Sequence, residues 1–293
     1  MSHLILAADI GGSHISSTII DVTKWQVTDD QILQSHIDGF ADKEMILTTW
    51  CNNLAQNIRD KEVEKITIAM PGPFDYEKGI FEQHPEGKFG SLVGTNFKIA
   101  IQERLGRVVE VHFENDAAAF GIGESYFGQS KDVKRSIAIT LGTGLGATFI
   151  SNHQAVKTGA SVPKGGELYH QKFRESIADD YFSTRWFVKQ AKEKYDLEVA
   201  GVKELLESTN DETIAEIFQK FTQSLHEFLL PYAQNFQAEA IVIGGNIAKA
   251  WSHFGVQLNT LFHSNAIRVA PSILQEKAIL LGAAKSAYNK SNQ

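Results

Sequence analysis

The sequence of 293 residues predicts an α/β protein built from two related domains with a cleft between them. Three observations carry this expectation. Short apolar runs of strand character alternate with segments of helical period along the whole chain. A glycine turn in the elbow of a β-hairpin occurs twice, half a chain apart. Each half opens with an antiparallel hairpin, which argues against a purely parallel sheet. Composition sets the outer bounds. Hydrophobic residues make up 43% and charged residues 22%, ordinary for a soluble globular protein. A net charge of −7 and a pI near 5.8 speak against a nucleic-acid-binding surface. No stretch of about 18 apolar residues is present, so no membrane span is expected. Met1-Ser2-His3 runs straight into a strand without a secretory leader, which makes the cytoplasm the default location. The single Cys51 excludes an internal disulfide framework and a multi-cysteine metal site.

The elements follow in order. The apolar run Leu4–Ala8 and the alternating run Ile15–Val22 flank the first turn. Lys43–Arg59 places Ile46, Trp50, Leu54 and Ile58 on one helical face. Lys65–Met70 reads as a buried strand stopped by Pro71-Gly72-Pro73. Asn96–Leu105 reads as a helix closed by Gly106, and Val108–Phe113 as a strand. Asn115-Asp116 then opens a helix, with Asn or Asp as its cap. In the second half a hairpin spans Ser136–Ser151. Helical segments are expected at Ala178–Lys194, Val202–Ser208, Asp211–Phe236 and Ile247–Phe262. Glu239–Ile243 and Ile267–Ala270 read as strands, and Glu276–Tyr288 as a closing helix.

Five pieces carry chemistry. Asp9 ends a buried strand, where a carboxylate needs a partner, a metal or water. Gly11 and Gly12 expose backbone N–H groups, and Ser13 adds a hydroxyl. This is either a phosphate cradle with Asp9 near a magnesium ion or a plain hairpin turn. The second turn, Gly142-Thr143-Gly144, partly fits the dinucleotide pattern, but the following Ala147–Ile150 reads as strand where that pattern needs a helix. It is therefore a hairpin phosphate loop or a structural turn. Two such turns facing each other would hold the phosphates of one nucleotide, which points to phosphoryl transfer. Asn115-Asp116 is an ordinary helix cap or, at a sheet edge, a carboxylate that takes a proton from a substrate hydroxyl. Glu167 and His170 follow the pair Gly165-Gly166, in a loop that either binds hydroxyls or is merely solvated. Gly244-Gly245 joins a strand to a helix, as a seat for adenine or ribose or as a simple connection.

These pieces, in this order and over nearly the whole chain, resemble the ROK family of sugar kinases and regulators. The resemblance implies a two-domain actin-like ATPase (ribonuclease H-like) fold with an interdomain cleft. It places the first domain over residues 1–115 with the closing helix 276–293, and the second over 116–275. It implies Asp116 as the catalytic base, and Asn115, Glu167 and His170 as sugar contacts. Gly11, Gly12 and Ser13 match the first phosphate loop, Gly142, Thr143 and Gly144 the second, and Gly244 and Gly245 the adenosine contact. ATP and magnesium are the implied cofactors, with Asp9 holding the metal through water, and a homodimer is the implied assembly.

Several residues depart from the family pattern. No cysteine follows Cys51, so the zinc site of many members is not expected. Asp179 stands where a sugar-binding Glu is usual, His14 where the first loop often has Lys, and Ser13 where it often has Thr. Asn96-Phe97 is the nearest match to the sugar-facing Asn-Leu. The leading expectation is an ATP-dependent kinase of a hexose or N-acetylhexosamine; glucose, N-acetylmannosamine, N-acetylglucosamine and fructose are all open acceptors. The alternatives are a sugar-responsive transcriptional regulator, or a non-catalytic sugar sensor, without its own DNA-binding domain, since eight residues precede Asp9.

Overall fold

A computed structural model describes residues 3–28, 31–59, 61–82, 84 and 86–291. Met1 and Ser2, read as leading into the first strand, lie outside them. The chain divides into two compact units, Met1–Gly123 with Glu276–Gln293, and Glu124–Gln275.

The first unit is built on one mixed sheet. Its elements are β1 (Leu4–Ile10), β2 (His14–Asp21), β3 (Gln26–Val27), β4 (Leu33–His36), α1 (Lys43–Ile58), β5 (Lys65–Met70), β6 (Phe74–Asp75), β7 (Ile80–Phe81), α2 (Phe97–Leu105), β8 (Glu110–Asn115) and α3 (Asp116–Phe127), which stays with this unit through Gly123. Strand order is β3-β2-β1-β5-β8, with β4 also on β2. β1 and β2 form the antiparallel hairpin, while β1, β5 and β8 run parallel. β1 and β5 are buried at nearly every position because both faces are covered, whereas β8 alternates apolar Val111 and Phe113 with polar neighbours. Ile66, Ile68 and Met70 point to the core that holds Trp50 and Leu54 of α1. Between them, Thr67 and Ala69 point to the closing helix (Glu276–Ser291): Thr67 Oγ1 donates to the Ala283 carbonyl at 3.0 Å, and Ala69 packs with Ala119 and Ala283. That helix meets α3 backbone to backbone. A methyl group at Gly282 would lie 1.8 Å from the Ala119 carbonyl oxygen, and one at Gly123 1.9 Å from that of Ala278.

The second unit repeats the plan. It contains β9 (Arg135–Leu141), β10 (Leu145–Ser151), β11 (Gln154–Val156), β12 (Lys172–Phe173), β13 (Ser176–Ile177), α4 (Ala178–Tyr181), α5 (Thr184–Tyr195), α6 (Val202–Ser208), α7 (Asp211–Phe236), β14 (Ala240–Gly244), α8 (Trp251–His263) and β15 (Arg268–Pro271). Strand order is β11-β10-β9-β14-β15, again a hairpin joined to parallel strands. α7 starts where Asn210 Oδ1 accepts from Thr213 N–H at 2.9 Å, and it buries Phe218, Phe221, Leu225 and Phe228 in the core of this unit.

Two expected helices are interrupted. The segment Ala178–Lys194 breaks at Phe182-Ser183, because the Thr184 N–H bonds the Gly142 carbonyl at 2.8 Å instead of continuing α4. The segment Ile247–Phe262 opens with a tighter 3₁₀ turn, Ile247–Ala250, before α8. Among the described residues no helix is long and apolar enough to cross a membrane.

Candidate active site

In the first unit the carboxyl ends of the parallel strands gather the polar residues, the usual place for a ligand in such sheets. Register pairs Asp9 with Ala69, and Ala69 with Glu114, while Met70 pairs with Asn115. Asp9 is 9% exposed. Its carboxyl is pushed up to about 8, first by loss of solvation and then by the charges of Asp116 and Glu276. Asp9 and Asp116 therefore sense each other's charge at one sheet edge. Asp116 opens α3, with Oδ1 accepting from Ala117 N–H at 2.8 Å. Asn115 Oδ1 accepts from Ala118 N–H at 3.0 Å, so the capping reading is literally met, while Asn115 Nδ2 donates to Tyr76 Oη at 3.2 Å. The Tyr76 hydroxyl in turn donates to the Met70 carbonyl at 3.0 Å. Glu114 serves the opposite side: Ser286 Oγ donates to it at 2.6 Å and Lys290 Nζ lies 3.6 Å away.

The first glycine turn adjoins Asp9. Gly11 N–H donates to the His14 carbonyl at 2.9 Å, and Ile37 N–H donates to the Ser13 carbonyl at 3.0 Å. Ser13 Oγ lies 3.3 Å from His14 Nδ1. Lys88, which sequence reasoning missed, lies over this turn. A methyl group at Gly12 would sit 2.8 Å from Lys88 Nζ. The lysine stem rests against Gly39, whose carbonyl accepts from Phe89 N–H at 2.6 Å. No local pattern connects Lys88 to Gly12; the one signal is that His14 occupies the position where a lysine is common in the family pattern. Asn96 is used differently from its neighbours. Its Oδ1 caps α2 through Ile99 N–H at 3.1 Å, and its Nδ2 donates to the Lys78 carbonyl at 3.1 Å.

In the second unit the sheet edge again collects glycines. Gly244 ends β14 opposite Thr140 of β9. Gly245 has φ +86°, and a methyl group there would lie 2.3 Å from the Leu141 carbonyl oxygen, so the glycine pair abuts the strand that enters the second turn. Within the turn, Gly142 N–H donates to the Gly144 carbonyl at 3.1 Å. Asp179 lies beside it, with Oδ1 accepting from Leu145 N–H at 2.7 Å. Asp179 also meets the loop of Glu167 and His170. Its N–H donates to the Tyr169 carbonyl at 2.9 Å, and burial together with the charges of Glu167 and Asp179 raises the Tyr169 hydroxyl above its ordinary range. Glu167 is half-buried, whereas His170 is exposed, its ring 4.8 Å from that of Tyr169 and its Nε2 3.0 Å from Gln171 Nε2.

Among the described residues no group of three or more His, Cys, Asp or Glu side chains is arranged to hold a metal directly. The donor set at Asp9 fits a hydrated divalent cation nonetheless. A buried carboxylate beside a second one is unfavourable in its charged form unless a cation offsets the repulsion.

The architecture is that of the actin-like ATPases: paired α/β units, each opening with a glycine-elbowed hairpin. Within that class the chain belongs to the ROK family, whose pattern it matches over residues 5–289. The glucokinase of Thermotoga maritima is 25% identical over 276 residues, covering 84% of this chain and 83% of that protein. The crystal structure of a ROK family glucokinase from Streptomyces griseus, in complex with glucose and AMPPNP, superposes with a TM-score of 0.78 at 21% identity, over 98% of this chain and 99% of that one. A ROK family transcriptional regulator, a homologue of the E. coli MLC protein, superposes with a TM-score of 0.75 at 20% identity, over 97% of this chain and 77% of the regulator.

Proposed function

We propose that this protein is an ATP-dependent kinase of a hexose or N-acetylhexosamine. The observation that carries the reading is Asp116 at the mouth of the first unit's sheet, close enough to the glycine-turn residue Asp9 for the two charges to interact. Membership of the ROK family and the glucokinase relative support the substrate class.

In this reading Asp116 accepts the proton of a sugar hydroxyl as that oxygen attacks the γ-phosphorus of ATP. The bond from the γ-phosphorus to the bridging oxygen breaks, and ADP leaves with the electron pair. Asn115, Glu167 and His170 hold the sugar hydroxyls, and Asn96 joins them if its cap opens. Asp9 would hold magnesium through water, where the ion would supply positive charge against the phosphates. The amides of Gly11, Gly12 and Ser13 and those of Gly142, Thr143 and Gly144 bind phosphate oxygens, with Lys88 adding a positive charge over Gly12. Gly244 and Gly245 border the adenosine.

A coupled ADP-release assay over a hexose panel tests the reading. Turnover of at least one sugar is expected, and Asp116→Asn should lower kcat by about 100-fold or more while sugar affinity stays close to wild type. A near-normal rate in that variant removes Asp116 from the base role. A sugar that raises the melting temperature without turnover by any panel member would favour a non-catalytic sensor.

A further inference from the structure

The second glycine turn is held from behind by a set of bonds that no part of the reading above employs. Its three carbonyls are all occupied. That of Gly142 accepts from Thr184 N–H at 2.8 Å and from Thr184 Oγ1 at 2.9 Å. That of Thr143 accepts from Arg185 Nη1 at 3.0 Å. That of Gly144 accepts from Gly142 N–H at 3.1 Å. The Leu145 amide is taken by Asp179 Oδ1 at 2.7 Å, and the other oxygen of Asp179 is ion-paired with Arg185 Nη2. Among the described residues, the Thr143 and Gly144 amides are then the turn's uncommitted donors. A turn whose acceptors are all tied up and whose remaining groups are N–H donors is an anion seat. Asp179 is also tightly placed: a methyl group on Gly144 would lie 3.1 Å from its Oδ1.

We propose that Asp179 and Arg185 are positioning residues for the nucleotide, and that Asp179 is not a sugar contact. The carboxylate fixes the Leu145 amide and orients the guanidinium, and the guanidinium fixes the Thr143 carbonyl. Together they hold the Thr143 and Gly144 amides in place for the phosphates of a nucleoside triphosphate. The inference rests on the kinase reading for the identity of that anion. It also accounts for aspartate where the family pattern has a longer acid. One methylene fewer keeps the carboxylate against the turn, with one oxygen on the Leu145 amide and the other on Arg185.

The test compares Asp179→Asn, Arg185→Ala and the double variant by calorimetric titration with AMPPNP, and by steady-state kinetics with ATP and sugar varied in turn. Melting curves establish that each variant is folded, and Asn preserves the shape and one acceptor at position 179. AMPPNP affinity and KM for ATP should each weaken by about tenfold in either single variant, with KM for sugar within about twofold of wild type. The double variant should be no worse than the weaker single one, because both act through one turn. A raised sugar KM with unchanged AMPPNP affinity in Asp179→Asn overturns the inference while leaving the kinase reading intact. No turnover by the wild-type protein, with AMPPNP bound and weakened by Asp179→Asn, removes the kinase reading and keeps the inference. Wild-type protein that binds no AMPPNP overturns the inference as well.

Discussion

Asp9 shows how one side chain links stability to the proposed chemistry. In the folded protein its carboxyl is raised to about 8, against an ordinary value of 3.8. Between those two values the folded form keeps a proton that the unfolded form has lost, so stability falls as pH rises across that window and levels off above it. Asp9→Asn removes the titration. Its unfolding free energy, read from denaturant midpoints, should exceed that of the metal-free wild type by a margin that grows from pH 4 to pH 8, on the order of a few kcal/mol at the upper end. A constant margin across that range would show that Asp9 is not the group responsible. Millimolar magnesium should narrow the margin at pH 8 by favouring the charged wild-type carboxylate. Asp9, the first turn and Asn115-Asp116 were all legible in the sequence, because a polar residue that ends an apolar run beside glycine is a local signal. Lys88 and Arg185 were not. Each acts on a turn about 40 or more residues away in sequence, and nothing in the neighbouring residues encodes that distance.

Among the elements, α3 and the closing helix depend most on small residues. Their approach leaves no room for a Cβ at Gly282 or Gly123, and the opposing atoms are backbone carbonyls that cannot rotate away. Gly282→Ala should therefore destabilise by about 1–3 kcal/mol or more, read as a lower denaturant midpoint at unchanged slope. An unshifted midpoint would mean that the two helices are free to separate. α7 spans Asp211–Phe236 as the sequence leads one to expect, and the Asn210 cap that starts it emerges only in the structure. The break between α4 and α5 was not legible, since Phe182-Ser183 contains neither Gly nor Pro. It is imposed by Thr184, whose N–H is drawn to the Gly142 carbonyl. The short strands β4, β6 and β7 escaped for a related reason: runs of two to four residues carry too little periodicity to be read without their partners.

For the molecule as a whole, the informative feature is that the last residues complete the first unit. The closing helix covers one face of β1, β5 and β8, and Ser286 and Lys290 both reach Glu114. Cys51, the single cysteine, sits in the core on the other face, 4% exposed, with burial pushing its thiol up to about 11. It is a ready reporter. In the full chain it should resist a disulfide-exchange reagent, whereas a chain truncated before Glu276 should react at a rate approaching that of an unfolded thiol. Equal resistance in both would show that the unit holds together without the helix.

The same discontinuity bears on biosynthesis. Glu124–Gln275 is uninterrupted in sequence, while the unit that holds β1, β5 and β8 waits for the later helix Glu276–Ser291. Until the closing helix is made, the face of β1, β5 and β8 that carries Ala7, Thr67, Ala69 and Glu114 has no cover. The second unit can therefore fold before the first is complete.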